Sequence, residues 1–265
     1  MMNNPYLPVK AKIINVKPQT EIDYTFRLET AIKVASGQFF EVSIPNVGEA
    51  PISVSDFGDD WIEMTIRNVG KLTNVIHKLK PGSHLFIRGP YGNGFPIQQM
   101  SDKDLIIAVG GTGLAPVKSI LSQYCKKTIH LKSLTLLTGF KSPADILFRE
   151  EIEEWRKEFC VELTVDKDDT KNWTGNIGLI TGLISKVSIS DITNTQVITV
   201  GPPIMMKFSV IEFLNRKIAK ENIWVSFERK MCCGIGKCGH CKIDNTYICL
   251  DGPVFNYYVA QNLID

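Results

Sequence analysis

The sequence has no long apolar segment, no excess of one charge and no recognisable leader. Its longest apolar runs, such as Leu105–Val109, are far too short to cross a lipid bilayer. Thirty Lys and Arg residues stand against 28 Asp and Glu, and a net charge of +2 favours neither nucleic acid nor a membrane surface as a partner. Met1–Pro5 contain no basic stretch followed by an apolar one, so we expect no secretory signal and a cytoplasmic protein.

The composition is otherwise that of a globular protein. Hydrophobic residues make up 44% of the 265 residues and charged residues 22%, which supplies a core and argues against disorder, collagen and coiled coil. The sequence contains no internal repeat and no low-complexity tract. The length allows one large domain or a few small ones.

Residues 1–98 have the pattern of an antiparallel β-barrel. Short apolar or alternating segments are separated by Gly and Pro, as at residues 81–82 and 89–90, and this spacing is typical of a small closed barrel. One helix, over Leu72–Leu79, interrupts the strands. The predicted strands are Val9–Val16, Thr25–Leu28, Phe39–Ile44, Trp61–Ile66 and His84–Ile87.

Strands and helices alternate in residues 99–223, which predicts a parallel sheet covered on both faces. Residues 224–265 are rich in Gly and Cys and too few for an apolar core of their own. They therefore need an additional cross-link, such as a metal site, to be stable. The expected fold class is therefore α/β plus β, in three domains. The predicted strands of the middle domain are Leu105–Val109, Leu134–Thr138, Val161–Val165 and Gln196–Val200, and its predicted helices are Ala115–Tyr124, Arg149–Lys157 and Ile204–Ala219.

Cysteine is the one unusual component. Five of the seven cysteines lie between Cys232 and Cys249, and an odd, clustered set without a predicted leader indicates metal chemistry rather than disulfides. From Cys233 the spacing is C-x4-C-x2-C-x7-C, in the manner of plant-type [2Fe–2S] sites. Glycines in such a loop let the thiolates converge and let backbone N–H groups approach the sulfurs. The predicted ligands are Cys233, Cys238, Cys241 and Cys249.

Other interpretations of the cysteines stay open. A zinc ribbon usually pairs one C-x2-C with a second or with a His pair, whereas this segment has a single C-x2-C, with His240 as the rival ligand. A pattern that starts at Cys232 gives C-x5-C and fits less well. Cys125 and Cys160 are expected to be ordinary buried residues.

Two glycine-containing turns follow predicted strands. Leu105–Val109 leads into Gly110–Pro116, and Gln196–Val200 leads into Gly201–Met206. Such turns can present N–H groups to a phosphate, although each could be only a tight turn. The first lacks the Lys-Ser/Thr of a P-loop, which disfavours ATP. Because ligands of open α/β sheets gather at these strand ends, the two turns together predict a dinucleotide crevice.

Two polar side chains have a functional and an ordinary interpretation. Asp166 follows the strand Val161–Val165, where an acid binds ribose hydroxyls and repels a 2′-phosphate, favouring NADH over NADPH. The alternative is a solvated polar loop. Thr73, near the start of its helix, either reaches a pyrophosphate or caps the helix.

Together these motifs resemble the ferredoxin–NAD(P)+ reductase superfamily over nearly the whole chain. The resemblance rests on Gly-Gly-Thr-Gly-x-Ala-Pro at 110–116, Gly-Pro-x-x-Met at 201–205 and the cysteine segment. Residues 228–255 are similar to the branch of dihydroorotate dehydrogenase electron-transfer subunits, hydrogenase γ subunits and anaerobic sulfite reductase B subunits. Gly-Glu-Ala-Pro-Ile-Ser at 48–53 and Phe-Asn-Tyr at 255–257 look most like the sulfite reductase members.

The resemblance implies FAD on the barrel and NAD(H) on the middle domain. Many members hold the FAD pyrophosphate with an Arg where this chain has Ala50, which leaves Arg67 or backbone N–H groups for that role and leaves FMN open. Ser53 is implied nearest flavin N5 as a hydrogen-bond partner, without an acid–base catalyst. The implied contacts are Pro51, Ile52, Ser53, Thr65, Ile66, Arg67, Gly70, Leu72 and Thr73 for FAD, and Gly110, Gly111, Thr112, Gly113, Ala115, Pro116, Asp166, Gly201, Pro202 and Met205 for NAD(H).

The resemblance also implies an NADH-dependent electron-transfer subunit of a hetero-oligomeric complex. NADH gives a hydride and an iron–sulfur cluster takes one electron at a time, so a flavin must stand between them. The implied partners are iron–sulfur and siroheme subunits that reduce sulfite to sulfide, since this chain has no siroheme or molybdopterin pattern. A dihydroorotate dehydrogenase or hydrogenase partner is the alternative in the same class, and a zinc-stabilised, non-enzymatic binding module is the alternative in another.

Overall fold

The computed structural model describes residue 4 and residues 6–263. Most of Met1–Pro5, where no secretory signal is expected, therefore lies outside the described residues. The chain divides into two compact units. The first contains the described residues up to Phe95 together with Ala115–Ser119 and Glu228–Val254. The second contains Pro96–Leu114, Ile120–Phe227 and the described residues from Phe255 onward. No helix in the described part of the chain is both long and apolar enough to span a bilayer.

The first unit contains a closed antiparallel barrel, as predicted. Its strands are β1 (Val9–Pro18), β2 (Asp23–Glu29), β3 (Phe39–Ile44), β4 (Gly48–Phe57), β5 (Trp61–Arg67) and β6 (His84–Tyr91). They close in the order β1-β2-β5-β4-β3-β6. Side chains that alternate along the strands fill the interior, among them the fully buried Phe26, Phe40 and Met64. A short helix, α1 (Lys71–Ile76), follows β5.

The second unit is built on a mostly parallel sheet of seven strands. These are β7 (Asp104–Gly110), β8 (Ser133–Phe140), β9 (Cys160–Val165), β10 (Asn176–Ile177), β11 (Thr195–Val200), β12 (Ile223–Ser226) and, after the hairpin strands β13 (Lys242–Ile243) and β14 (Thr246–Tyr247), β15 (Val254–Asn256). Their order is β10-β9-β8-β7-β11-β12-β15. Every residue of β7 and β11 is buried, as expected for central strands covered on both faces.

The strand order reverses between β7 and β11. From β7 the chain adds β8, β9 and β10 on one side and then returns to place β11 on the other. β7 and β11 pair in parallel, with Val109 opposite Val200, so both strands end at the same edge of the sheet. This is the switch point at which α/β sheets bind ligands.

Three predicted helices have clearly different bounds in the structure, and the first of them, over Leu72–Leu79, is α1, which ends at Ile76. The predicted helix over Ala115–Tyr124 is a 3-10 helix over Gly111–Val117 followed by α2 (Lys118–Cys125), since Pro116 has no N–H for an α-helical bond. The predicted helix over Ile204–Ala219 ends earlier, because Lys217 is left-handed with φ 69°. The remaining helices are α3 (Arg149–Glu158), α4 (Ile180–Ile184), α5 (Pro203–Asn215), α6 (Ile248–Asp251) and α7 (Tyr257–Ala260).

The expectation that Cys125 and Cys160 are buried is wrong. Cys160 is exposed and Cys125 only partly buried. Cys160 begins β9 and Cys125 ends α2, and both positions lie at the edges of the core, where apolar residues are routinely solvent-accessible.

Candidate functional site

The thiols of the cysteine segment lie together in the first unit. Cys233, Cys241 and Cys249 are buried, whereas Cys232 and Cys238 are exposed. Cys238 is hydrogen-bonded through its N–H to Cys233 Sγ, and Cys249 through its N–H to Cys241 Sγ, so the four predicted ligands lie in two pairs. Among the described residues, no group of three or more His, Cys, Asp or Glu side chains is placed to hold one metal ion. Two thiol pairs fit the two irons of a [2Fe–2S] cluster better than a single tetrahedral zinc.

Backbone N–H groups of the loop point at the sulfurs. Gly236 N–H donates to Cys249 Sγ at 3.2 Å, and the N–H groups of Lys237 and Cys238 donate to Cys233 Sγ at 3.4 and 3.5 Å. Gly236 has a φ of 67°, a conformation that favours glycine. Hydrogen bonds to the sulfurs are among the features that tune iron–sulfur clusters. The donor set of this loop therefore fits the predicted group.

A hairpin returns the fourth cysteine to the third. β13 and β14 pair between Cys241 and Cys249, and Cys249 N–H donates to Cys241 Sγ at 3.5 Å. Burial, together with the bond to Cys241, raises the pKa of the Cys249 thiol to about 12. Metal ligation requires thiolates, and a bound cation would favour the ionised form of the Cys249 thiol.

The predicted flavin strand lies at the barrel surface. Pro51, Ile52 and Ser53 are half-buried residues of β4, and Ser53 is paired with Phe39 of β3. Gly70, beyond β5, is exposed. The structure thus brings these three residues of β4 together on one strand.

Other predicted flavin residues have partners within the barrel. The Thr65 hydroxyl bonds those of Thr25 and Ser55. The side chains of Ile66 and Leu72 belong to the barrel core. The Thr73 hydroxyl accepts the N–H groups of Val69 and Gly70 and donates to Gly70 O, which is the helix-capping alternative. Because these side chains already have partners, a cofactor would find mainly backbone N–H and C=O groups at these positions.

Arg67, the proposed substitute for the missing Arg at position 50, is already ion-paired. Its Nε and Nη2 donate to the two carboxylate oxygens of the fully buried Asp23 at 2.8 and 2.9 Å. Any pyrophosphate would share this guanidinium with Asp23. Beside it, Asn68 Oδ1 is buried and has no hydrogen-bond partner in the described part of the chain. Such an acceptor fits a hydroxyl or amino group of a cofactor such as FAD.

The two glycine turns meet at the switch point of the second unit. A Cβ on Gly113 would lie 2.4 Å from the carbonyl oxygen of Val200, and one on Gly110 would lie 2.5 Å from Met205 Sδ. Gly201, with φ 153°, lies against Gly110 in the same way. The turns therefore pack backbone to backbone, as glycine-rich dinucleotide loops require.

Asp166 lies at the end of β9 with its side chain exposed, and its N–H donates to Phe140 O at 2.9 Å. If it selects against a 2′-phosphate, Asp166→Ser should raise the NADPH-to-NADH ratio of kcat/KM by about tenfold. Asp169→Ser is the matched control, because Asp169 is an exposed acid of the same loop that pairs with Lys167. An unchanged ratio in Asp166→Ser, or an equal rise in the control, would remove Asp166 from nucleotide selection.

Comparison with known proteins shows which protein families this chain is similar to. Residues 107–210 match the oxidoreductase NAD-binding domain, and residues 228–258 match the iron–sulfur cluster binding domain of dihydroorotate dehydrogenase B. The chain is 37% identical to sulfhydrogenase 2 subunit gamma of Pyrococcus furiosus over 97% of each chain. It is 32% identical to the dihydroorotate dehydrogenase B (NAD(+)) electron transfer subunit of Clostridium perfringens, over 88% of this chain and 89% of that one.

This chain belongs to the ferredoxin reductase-like family of hydrogenase γ and dihydroorotate dehydrogenase electron-transfer subunits. The fold agrees: the structure of an NADH-dependent reduced ferredoxin-NADP oxidoreductase superposes with a TM-score of 0.79 at 22% identity, covering 100% of this chain and 91% of that one. Family membership confirms an electron-transfer oxidoreductase with NAD(H), FAD and a [2Fe–2S] cluster as cofactors, and it favours iron–sulfur over zinc. The individual FAD and NAD(H) contacts and the sulfite reductase assignment stay predictions.

Two charged residues that lie beneath the cysteine loop were not predicted from the sequence. Arg88 of β6 is buried and donates to the backbone carbonyls of Cys232 and Cys233. Glu41 of β3 is fully buried, and neither of its oxygens has a hydrogen-bond partner among the described residues. Burial raises the pKa of Glu41 to about 7, while Arg88 opposes that rise. The only signal in the sequence is a charged residue within an otherwise apolar strand.

Proposed function

We propose that this chain oxidises NADH and delivers single electrons, through its cluster, to the catalytic subunits of an anaerobic sulfite reductase. The observation that carries the proposal is the pairing of the four cysteines, through N–H to sulfur hydrogen bonds, within the compact unit that also contains the barrel. A barrel alone would serve a simple flavin reductase. A cluster on the same unit provides an exit for single electrons.

The residues of the chain bind and orient, and none has to act as an acid–base catalyst. The glycine turns at Gly110–Gly113 and Gly201 present backbone to the nucleotide. Flavin supplies the conversion of a hydride into single electrons. β4 offers Ser53 at its half-buried surface as a hydrogen-bond partner for the flavin ring. Cys238 is the exposed member of the predicted cluster ligands, so it would hold the end of the cluster that a partner can approach.

Two candidate partners have specific support. The segments 48–53 and 255–257 resemble those of sulfite reductase B subunits and favour siroheme subunits as the acceptor. The identity to sulfhydrogenase gamma subunits, 35% and 37%, favours a hydrogenase as the second candidate. The electron path inside this chain is the same in both cases.

The first experiment is an oxygen-free titration of the purified chain with NADH, followed by visible absorption. We expect bound FAD, iron and acid-labile sulfide, and bleaching of both chromophores by NADH. A preparation with neither flavin nor sulfide would contradict the proposal.

The second experiment mixes the loaded chain and NADH with candidate catalytic subunits in separate reactions. We expect NADH-dependent formation of sulfide from sulfite with siroheme subunits, and no turnover with hydrogenase or dihydroorotate dehydrogenase catalytic subunits. Hydrogen evolution or dihydroorotate formation, without sulfide formation, would replace the sulfite reductase assignment by the corresponding alternative.

A further inference from the structure

One buried guanidinium joins the barrel to the cysteine loop. Nη1 of Arg88 donates to Cys233 O at 2.6 Å, and Nη2 donates to Cys232 O at 2.8 Å. Nε donates to Glu49 Oε2 at 2.9 Å, Nη2 donates also to Glu49 Oε1, and Nη1 donates also to Tyr91 Oη at 3.1 Å. A guanidinium has five N–H donors, and these contacts give each of them an acceptor.

The two carbonyl groups that Arg88 binds belong to the successive residues Cys232 and Cys233, and this fixes the local conformation of the backbone. In an extended chain, successive residues point to opposite sides, so two neighbouring carbonyls reach one guanidinium only where the backbone bends. The bend leaves Cys233 buried and Cys232 exposed. It also directs Cys233 Sγ to the N–H groups of Lys237 and Cys238. The contacts of Arg88 therefore distinguish two adjacent thiols that the spacing alone leaves as rivals.

Glu49 connects this arrangement to the strand predicted to carry the flavin. It lies on β4 two residues before Pro51, whereas Arg88 and Tyr91 lie on β6. The Arg88 side chain is 5% exposed and that of Glu49 is 31% exposed. A charge buried this deeply needs a partner of opposite sign, and Glu49 supplies one in a bidentate pair.

We propose that Arg88 is a positioning residue for the [2Fe–2S] cluster, which fixes the Cys232–Cys233 backbone so that Cys233 is the ligand and which raises the reduction potential of the cluster. A fixed positive charge stabilises the form with the extra electron, and net charge and hydrogen bonding set cluster potentials. Glu49 offsets part of that charge and orients the guanidinium. The inference rests on the cluster site and is independent of which partner accepts the electrons.

Three variants separate the charge of Arg88 from its geometry. Arg88→Gln removes both, Arg88→Lys keeps the charge but loses the fork that reaches two carbonyls and Glu49, and Glu49→Gln removes the offsetting negative charge. Arg27→Lys is the matched control, because Arg27 forms a similar ion pair with Glu63 elsewhere on the barrel. Each chain is reconstituted without oxygen. The readouts are iron release to a chelator, the electron paramagnetic resonance spectrum and the midpoint potential of the cluster.

We expect iron release to be faster by about tenfold or more in Arg88→Gln and Arg88→Lys, as for other residues that orient metal ligands. The midpoint potential should fall in Arg88→Gln, stay close to wild type in Arg88→Lys and rise in Glu49→Gln. Arg27→Lys should match wild type in all three readouts.

Iron release and resonance spectra that match wild type in Arg88→Lys would overturn the positioning role. A potential that does not rise in Glu49→Gln would overturn the electrostatic role. Both conclusions stand even if Arg88→Gln fails to fold. A wild-type chain that binds NADH and flavin but no iron or sulfide would contradict both the cluster site and this inference. It would leave the proposed oxidation of NADH unaffected.

Discussion

Replacing Cys238 by Ser is expected to abolish electron delivery to the partner while NADH-dependent dye reduction at the flavin continues. Cys238 is exposed, and its pKa lies below the ordinary value, chiefly because a backbone hydrogen bond from His240 stabilises the thiolate. Loss of one of four thiolates should weaken cluster retention by at least about 100-fold, since even residues that only orient ligands cost 10- to 100-fold. The barrel is packed by its own apolar core and should keep its flavin.

The measurement is a pair of rates on one oxygen-free preparation: NADH to an artificial dye, and NADH to the partner subunits. Cys232→Ser is the matched control, because Cys232 is an exposed neighbour that lies outside the two thiol pairs. It should retain both rates and its iron. If Cys238→Ser still reduced the partner at the wild-type rate, the cluster would not lie on the electron path. If Cys232→Ser lost its iron, Cys232 would be a cluster ligand, and the predicted ligand spacing, which begins at Cys233, would be wrong.

Local pattern was sufficient to predict most of the barrel and the sheet. Phe39–Ile44 was predicted as a strand and is β3 to the residue, because Gly37 and Pro45 bound an apolar run. The two glycine turns were predicted to form one dinucleotide crevice, and they do lie together, because a Cβ on Gly113 would be 2.4 Å from Val200 O and 3.0 Å from Gly201 Cα. In each case the determining interactions are between residues close in sequence or in one regular topology.

The contacts that depend on strand register could not be predicted. Glu49 on β4 and Arg88 on β6 meet only because β3 lies between their strands and pairs with both. The same holds for Arg67 and Asp23, which are 44 residues apart and opposite each other on β5 and β2. A sequence shows that Arg67 is basic, but it does not show that Asp23 already binds one edge of its guanidinium. Such pairings can be recognised only when the closed barrel has fixed the register of its strands.

The strand β12 was missed for a different reason. Ile223–Ser226 is four residues long and straddles the predicted boundary between residues 223 and 224, so it was too short to be distinguished from a linker. Its pairing with β11 over Val197–Val200 makes it part of the parallel sheet. Short buried strands gain their stability from neighbours already in place, which leaves little trace in their own sequence.

Gly113→Ala is expected to cost the second unit stability and nucleotide affinity together. The added methyl group would lie 2.4 Å from Val200 O and 3.0 Å from Gly201 Cα, and both contacts are with backbone that no rotamer change can move. The two turns would have to separate, at a cost of about 1–3 kcal/mol in the free energy of unfolding. Because the same backbone groups are proposed to approach the pyrophosphate, we expect the Kd for NADH to rise by at least about tenfold.

The two effects are checked by thermal unfolding and by NADH titration of the same preparation, with iron content as an internal reference that should not change. Gly182→Ala is the control for the glycine-to-alanine exchange. Gly182 lies within α4, and a Cβ there would meet nothing within 4 Å, so alanine should be neutral or stabilise the helix by up to about 1 kcal/mol. A Gly113→Ala chain with wild-type stability and affinity would show that the turns separate without cost, and the nucleotide site would then have to be sought away from the switch point between β7 and β11.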